Sequence, residues 1–101
     1  MRAQLIKVRL TPGKDLAEAA MHLRAAGQPG SGLVREMFMR DQKDPDQPCI
    51  LAMSESEEKA RAREQDPRRQ EALTAMQATI AGILAGPPEF TDLTVADLWT
   101  D

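Results

Sequence analysis

The chain has 101 residues, a net charge of −3 from 13 basic and 16 acidic residues, and three aromatic residues in all. This length predicts one domain spanning residues 1–101, with a core that depends on aliphatic side chains. Charges of both signs are interleaved without a basic block, which excludes a dedicated nucleic-acid surface, and we expect neither a signal peptide nor a membrane span.

The first third of the chain predicts a strand, a helix and a second strand. Residues 4–10 mostly alternate between polar and apolar side chains, as in a strand with one buried face. Asp15 and Glu18 form a capping box at the start of a helix. Its apolar stripe consists of Leu16, Ala19, Ala20, Leu23 and Ala26. A glycine-rich connection leads to the second strand, which we predict over residues 33–40.

The middle of the chain predicts a hairpin followed by a charged helix. Residues 41–48 contain three Asp and two Pro, which is typical of a hairpin loop. Residues 50–54 are apolar enough to form the third strand. Residues 57–65 predict a short helix whose cap is either Ser54 or Ser56.

The last third of the chain predicts a longer helix and a final strand. Asp66 and Pro67 combine an N-cap with a proline at the first helical position, which indicates a new helix start. The apolar face that follows consists of Leu73, Met76, Ile80, Ile83 and Leu84. Residues 86–88 are Gly-Pro-Pro and end the helix, and residues 93–99 predict the last strand.

The order of these elements is strand, helix, strand, strand, helix, strand. It predicts an α+β, ferredoxin-like βαββαβ fold, with a four-stranded antiparallel sheet and two helices on one face. Strands two to four carry apolar side chains in both phases, for example Met37 and Met39 against Phe38. A sheet that is apolar on both faces needs a layer on each, and one chain supplies only one helical layer. We therefore predict a homodimer in which the open faces meet.

Two segments resemble a known family. Residues 50–58 are similar to the third strand and Ser-x-Glu helix start of the dimeric α/β barrel superfamily, in particular its antibiotic-biosynthesis-monooxygenase-like group, and residues 90–95 are similar to its closing strand. The resemblance implies a dimeric α/β barrel with a cavity between helices and sheet in each subunit. It also implies either cofactor-free oxygenation of aromatic polyketides or, as in other members, haem degradation.

The chain departs from the haem-degrading members of that family. Those members resemble one another in an Asn on the first strand and in a Trp and a His near the second helical region. Here Val8 stands where the polar residue would be, and residues 49–89 contain neither His nor an aromatic residue. The departures argue against haem degradation, and we expect no cofactor.

Two side chains are candidates for reaction chemistry. His22 is the sole histidine and lies at the edge of the predicted helix stripe, where it is either a catalytic base or an ordinary boundary residue. Cys49 is the sole cysteine, so it cannot form an internal disulfide and indicates a cytoplasmic protein. No base stands near it in sequence, which favours a packed thiol over a nucleophile.

The candidates for ligand binding are Arg9, Phe38 and Trp99. Arg9 could hold an anionic group, and the two aromatic side chains could stack on a small organic ligand. The alternatives are cross-strand ion pairs for Arg9 and core or interface positions for the aromatic residues.

The sequence predicts neither a metal site nor a nucleotide site. Asp41, Asp44 and Asp46 lack the central Gly and final Glu of a calcium loop, which favours a solvated hairpin. His22 has no Cys or His neighbour at the spacing of zinc ligands. The glycine-rich stretch at 27–32 precedes a strand, whereas a phosphate-binding loop precedes a helix.

Three functions follow from these patterns. The first is a cofactor-free monooxygenase-like enzyme or small-ligand binder with a cavity between helices and sheet. The second is a non-catalytic homodimeric interaction or carrier module, for which the charged helical stretch at 57–69 could present a docking surface. The third, a ligand-sensing regulatory domain, is disfavoured because the chain carries no effector domain.

Overall fold

The computed structural model describes residues 1–15, 17, 20, 21, 24, 27 and 30–101. Several predicted features therefore lie outside the described residues: Leu16, Glu18, Ala19, His22, Leu23 and Ala26. The backbone of residues 67–81 is described, but the side chains of Met76 and Ile80 are not.

One antiparallel sheet forms the centre of the fold. Its strands are β1 (Arg2–Lys7), β2 (Leu33–Arg40), β3 (Pro48–Ser54) and β4 (Glu89–Thr94). They lie in the order β2-β3-β1-β4, and each neighbouring pair is antiparallel. Two helices, α1 (Glu57–Glu64) and α2 (Pro67–Ala81), connect β3 to β4. Between β1 and β2, residues 17, 20, 21 and 24 are helical. This arrangement confirms the predicted ferredoxin-like fold.

Local capping explains where the two helices start. The Ser56 side-chain oxygen accepts a hydrogen bond of 3.1 Å from the backbone N–H of Lys59, so Ser56, not Ser54, is the cap of α1. The Asp66 carboxylate accepts one of 2.9 Å from the N–H of Arg68, and Pro67 is the first residue of α2. The Asp66 cap and Pro67 give the longer helix its own start, which separates it from the charged run of α1.

The predicted bounds of the first strand and of the long helix are wrong. β1 covers Arg2–Lys7 and not residues 4–10. Beyond Lys7 the chain leaves the regular ladder, and Leu10 forms an isolated bridge with Leu84. Leu84 can make that bridge because α2 has already ended at Ala81. Ile83 and Leu84 therefore pair through their backbone with Thr11 and Leu10, after the end of β1, and do not belong to the helix.

The predicted bounds of the last strand are also wrong. β4 covers Glu89–Thr94, whereas the sequence predicted residues 93–99. The register places Glu89 opposite Lys7 and Thr94 opposite Arg2, so β4 is as long as the partner strand that it pairs with. The apolar residues that suggested a later strand follow β4, and Trp99 is 85% exposed.

The sheet has a helix-covered face and an open face, because cross-strand partners point to the same side. The helix-covered face carries Arg2, Gln4, Ile6, Phe38, Ile50 and Ala52. The open face carries Leu5, Met37, Met39, Leu51, Met53 and Leu93. Of these, Met37, Met39 and Leu93 are 37–42% exposed. In the described part of the chain, no helix is both long and apolar enough to cross a membrane.

Candidate functional site

A cavity of about 440 Å³ lies at one end of the helix-covered face. It is bordered by the helical residues between β1 and β2 on one side and by β2 and the start of β3 on the other. This volume falls within the range of about 300–1,000 Å³ that small-molecule sites occupy. We call it the Phe38 cavity.

The wall of the Phe38 cavity is mainly apolar. Phe38 is half-buried on β2, and Leu10 and Ala20 are buried, with 4% and 8% exposure. Met21 belongs to this wall and is more exposed, and β2 also contributes Met39, whose side chain the register places on the open face. Methionine side chains adapt to irregular shapes, so this wall can fit a ligand without a rigid outline.

Three charged side chains border the same cavity. Arg40 Nη2 lies 3.1 Å from Asp15 Oδ2, so these two residues form an ion pair across its edge. Arg24 lies over the ring of Phe38, with its guanidinium carbon 5.8 Å from the ring centroid. This distance is short enough for a cation–π interaction. The cavity thus combines an apolar wall with a few polar groups, as ligand sites do.

The structure does not bring together the three residues predicted to bind a ligand. Phe38 lines the cavity, whereas Arg9 and Trp99 do not border it. Arg9 is exposed, and its Nη2 lies 2.9 Å from Asp44 Oδ2 and 3.3 Å from Gln47 Oε1. His22, the catalytic candidate, lies outside the described residues. The roles assigned to all four residues stay predictions.

Arg24 is the border residue that the sequence did not reveal. Ala17, Ala20, Met21 and Arg24 recur at intervals of three and four, so they share one face of the helical segment. The spacing in the sequence therefore indicates that Arg24 lies on the same helix face as Ala17 and Met21. The predicted stripe does not include Arg24, because that stripe consists of apolar residues alone.

The acidic loop between β2 and β3 uses its carboxylates for local structure. Asp41 Oδ1 accepts hydrogen bonds from the N–H groups of Lys43 at 2.8 Å and Asp44 at 3.2 Å. The hydrogen bond from Arg9 is the main cause that lowers the pKa of Asp44. Within the described ranges, no three His, Cys, Asp or Glu side chains gather into a group that could hold a metal ion.

The opposite end of the helix-covered face is closed by Arg2, whose side chain is only 8% exposed. Its Nη1 lies 2.8 Å from Glu64 Oε1, and its Nη2 lies 2.8 Å from Asp92 Oδ1. Its Nε lies 3.3 Å from Glu57 Oε2 in a geometry that makes no hydrogen bond. Burial alone would lower the pKa of Arg2, but the hydrogen bonds to Glu64 and Asp92 outweigh it and raise the pKa.

At this end the fold disfavours the charge of a second arginine, Arg63. Burial lowers the pKa of Arg63, and the positive charge of Arg69 lowers it further. Both border a remaining space of about 30 Å³ beside Arg2. That space is large enough for water but not for an organic ligand. The Phe38 end is therefore the candidate site.

Comparison with solved structures shows what this chain resembles. The protein MhuD, solved as a mutant with two manganese protoporphyrin IX molecules bound per active site, has a TM-score of 0.76, with 16% identity over 100% of both chains. SnoaB, a cofactor-independent oxygenase from Streptomyces nogalater, has a TM-score of 0.69, with 15% identity over 99% of this chain and 97% of its own. A candidate antibiotic biosynthesis monooxygenase from Caulobacter crescentus has a TM-score of 0.71, with 18% identity over 95% of this chain and 90% of its own.

These similarities establish the class of fold. The chain has the ferredoxin-like fold of antibiotic-biosynthesis-monooxygenase-like proteins, which confirms the resemblance found in the sequence. No protein-family model matches the chain, and no curated protein matches it. At 15–18% identity the three structures share a fold with this chain, and a fold by itself does not specify a reaction.

Proposed function

We propose that this protein is a cytoplasmic, homodimeric, single-domain member of the monooxygenase-like group that binds one small organic molecule in each Phe38 cavity. The observation that carries this proposal is the cavity itself, with about 440 Å³ between helical residues and sheet. Its apolar wall and few charged groups match the usual composition of a small-molecule site.

The reaction that best suits this class is oxygenation without a cofactor. SnoaB, which shares the fold, is a cofactor-independent oxygenase. In such a reaction the protein's own contribution would be to enclose the substrate and to accept a proton from it. His22 remains the candidate for the proton acceptor, because it is the one histidine in the chain.

The open face supports the homodimer. Met37 and Met39 lie at one edge of that face and Leu93 at the other, and each is more than a third exposed. Leu5 and Leu51 continue the apolar surface between the two edges. Lys7 and Glu89 lie on the same face as direct cross-strand partners. A surface that carries an apolar centre and both charge signs can match a second copy of itself across a two-fold axis.

The dimer is tested by placing a charge on either face of the same strand. Leu93 lies on the open face and Phe90 on the helix-covered face, with 42% and 60% exposure. We expect Leu93→Glu to convert the dimer to a monomer at micromolar concentration in sedimentation experiments, while Phe90→Glu remains dimeric. A wild-type chain that sediments as a monomer would contradict the dimer.

Ligand binding is tested by native mass spectrometry of protein purified gently from its own host. We expect extra mass on the dimer, which also identifies the ligand. Ala17→Trp is the matched control, because Ala17 is an exposed residue at the cavity border and an indole there would fill it. Extra mass that persists in Ala17→Trp would place the ligand elsewhere.

A non-catalytic interaction module is the second candidate. The helix α1 is mostly exposed and highly charged, as a docking surface would be. Part of that charge is satisfied within the helix, because Arg61 Nε lies 2.8 Å from Glu57 Oε1, four residues earlier in the helix. A binding partner captured by the wild type and lost in Arg61→Glu would favour this candidate.

A further inference from the structure

We propose that the small space beside Arg2 is a binding site for one chloride ion, which Arg63 and Arg69 hold between the two helices and the sheet. The site lies at the end of the helix-covered face away from the Phe38 cavity, and it is independent of the function proposed for that cavity. Three arginines that meet around one small space, and a buried donor without an acceptor, carry the proposal.

The described residues around this space carry more positive than negative charge. Arg2 comes from β1, Arg63 from α1 and Arg69 from α2, so three separate elements each bring one guanidinium to it. Glu64 is the one acid among the described lining residues, and its Oε1 lies 2.8 Å from Arg2 Nη1. Three arginines and one glutamate leave an excess of two positive charges, which favours an anion as the occupant.

The other two carboxylates that contact Arg2 do not belong to the described lining of this space. Asp92 Oδ1 lies 2.8 Å from Arg2 Nη2. Glu57 Oε2 lies 3.3 Å from Arg2 Nε, and its Oε1 lies 2.8 Å from Arg61 Nε. Both carboxylates are therefore already paired with guanidinium groups, which reduces their repulsion of an anion in the space.

Arg63 and Arg69 differ from Arg2 in their partners. Both are half-buried, and neither forms an ion pair with a carboxylate in the part of the chain that the structure describes. Burial lowers the pKa of Arg63, the charge of Arg69 lowers it further, and the opposing effects of Glu36 and Glu64 are each smaller. An anion between the two arginines would attract both charges and offset their mutual repulsion.

The sheet side of the space supplies hydrogen-bond donors. Arg2 Nε is buried and has no hydrogen-bond acceptor, and such a donor in a folded protein calls for water or an ion as its partner. Ser54 is 4% exposed and borders the space, so its hydroxyl can donate to an ion there. The volume of about 30 Å³ holds water or one monatomic ion, but it is too small for sulfate, phosphate or an organic acid.

The experiment compares thermal unfolding of the full chain in sodium chloride and in sodium gluconate at equal ionic strength. Gluconate screens charge as chloride does but is too large for the space. At about 0.2 M salt we expect a melting temperature about 2–3 °C higher in chloride, which is the shift for a dissociation constant near that concentration. Arg63→Gln and Arg69→Gln should each abolish this difference. Arg61→Gln, which removes the same charge from the exposed side of α1, should retain it.

Chloride binding is measured directly from the broadening of the chloride NMR signal by the protein. Broadening that Arg63→Gln loses and Arg61→Gln keeps supports the site. Equal melting temperatures in the two salts together with an unbroadened signal would overturn it, and so would a chloride effect that survives Arg63→Gln. Loss of the effect in Arg61→Gln as well would mean that only the net charge of α1 matters, which also contradicts a specific site.

Discussion

At one end of the helix-covered face Arg2 lies under α1 among three carboxylates, and at the other end Phe38 and Arg24 border a cavity. The space that remains is about 30 Å³ at the Arg2 end and about 440 Å³ at the Phe38 end. Ion pairs and close backbone packing fill the first end. At the second end the helical segment places Ala17 and Ala20 at the border of the cavity, and their short side chains take up little of its space.

The difference between the two ends indicates that the Arg2 end stabilises the fold and that the Phe38 end has room for a ligand. The Arg2 side chain connects β1 to α1 and β4, so the contacts at that end join elements that are distant in sequence. The Phe38 end has one exposed ion pair of this kind, between Arg40 and Asp15, and keeps a space that a ligand can fill. Substitutions at the Arg2 end should therefore alter the free energy of unfolding, whereas Arg24 and Ala17 should alter binding.

The largest expected effect concerns Gly32, which lets α1 approach the start of β2. Gly32 has φ +83°, and a Cβ added there would lie 2.8 Å from Lys59 Cβ. Gly32→Ala should cost about 3 kcal/mol, because it adds a steric clash to the strain of a left-handed backbone. Gly13→Ala is the control: it has φ +82° in open space and should cost about 1 kcal/mol. Equal losses in chemical denaturation would show that the close approach contributes nothing.

The next effect concerns the Arg2 ion pairs. Arg2→Met keeps the length of the side chain but leaves three carboxylates without their shared cation. The carboxylates are 49–63% exposed, so we expect a loss of about 2 kcal/mol, less than for a fully buried pair. Arg9→Met removes an exposed pair and should cost less than about 0.5 kcal/mol. If urea denaturation gave the same loss for both, the Arg2 end would not be the stabilising one.

A smaller effect is expected from acid. The hydrogen bond from Gln4, and then that from Arg2, lowers the pKa of Asp92. A carboxylate whose pKa is lower in the folded state contributes stability above its ordinary pKa of about 3.9, and this contribution is lost as the pH falls through the folded value. As the pH is lowered below about 4, the melting temperature should therefore decrease, and it should decrease less steeply in Asp92→Asn. Adding Arg2→Met should shrink the difference made by Asp92→Asn, since the two groups interact.

The smallest effect on the free energy of unfolding is expected at Arg63. Removing this charge should not destabilise the fold, whereas removing that of Arg2 should. The pKa of Arg63 is lowered by burial and by Arg69, so the folded state disfavours its charge. Arg63→Met should be neutral or stabilising by at most about 0.5 kcal/mol, because solvent screens the half-exposed side chain. A loss comparable to that of Arg2→Met would mean that Arg63 belongs to the stabilising network.

Local signals in the sequence predicted the elements whose causes lie within a few residues. The bounds of β2 agree with prediction, since residues 33–40 lie between a glycine-rich connection and an acidic loop. The start of α2 at Pro67 also agrees, because an N-cap followed by proline acts over three residues. β1 and β4 were misplaced because their lengths follow from pairing between residues more than eighty positions apart.

Less of the candidate site than of the fold could be predicted from the sequence. Phe38 was identified because aromatic residues are rare in this chain, and Arg24 was missed because its importance depends on its contact with a different element. Arg2 gave no signal either, since its three carboxylate partners lie at positions 57, 64 and 92. Charge on an isolated side chain is visible in a sequence, but its burial and pairing are not.

By itself, the sequence determined the order of the elements, the helix caps and the presence of apolar side chains on both sheet faces. These depend on capping, turn chemistry and alternation, which act over a few residues. Only the tertiary structure decided which arginine is buried, where β4 stops and that a cavity remains beside Phe38. These properties depend on contacts between distant parts of the chain, because burial and pairing exist only once the sheet and helices have packed.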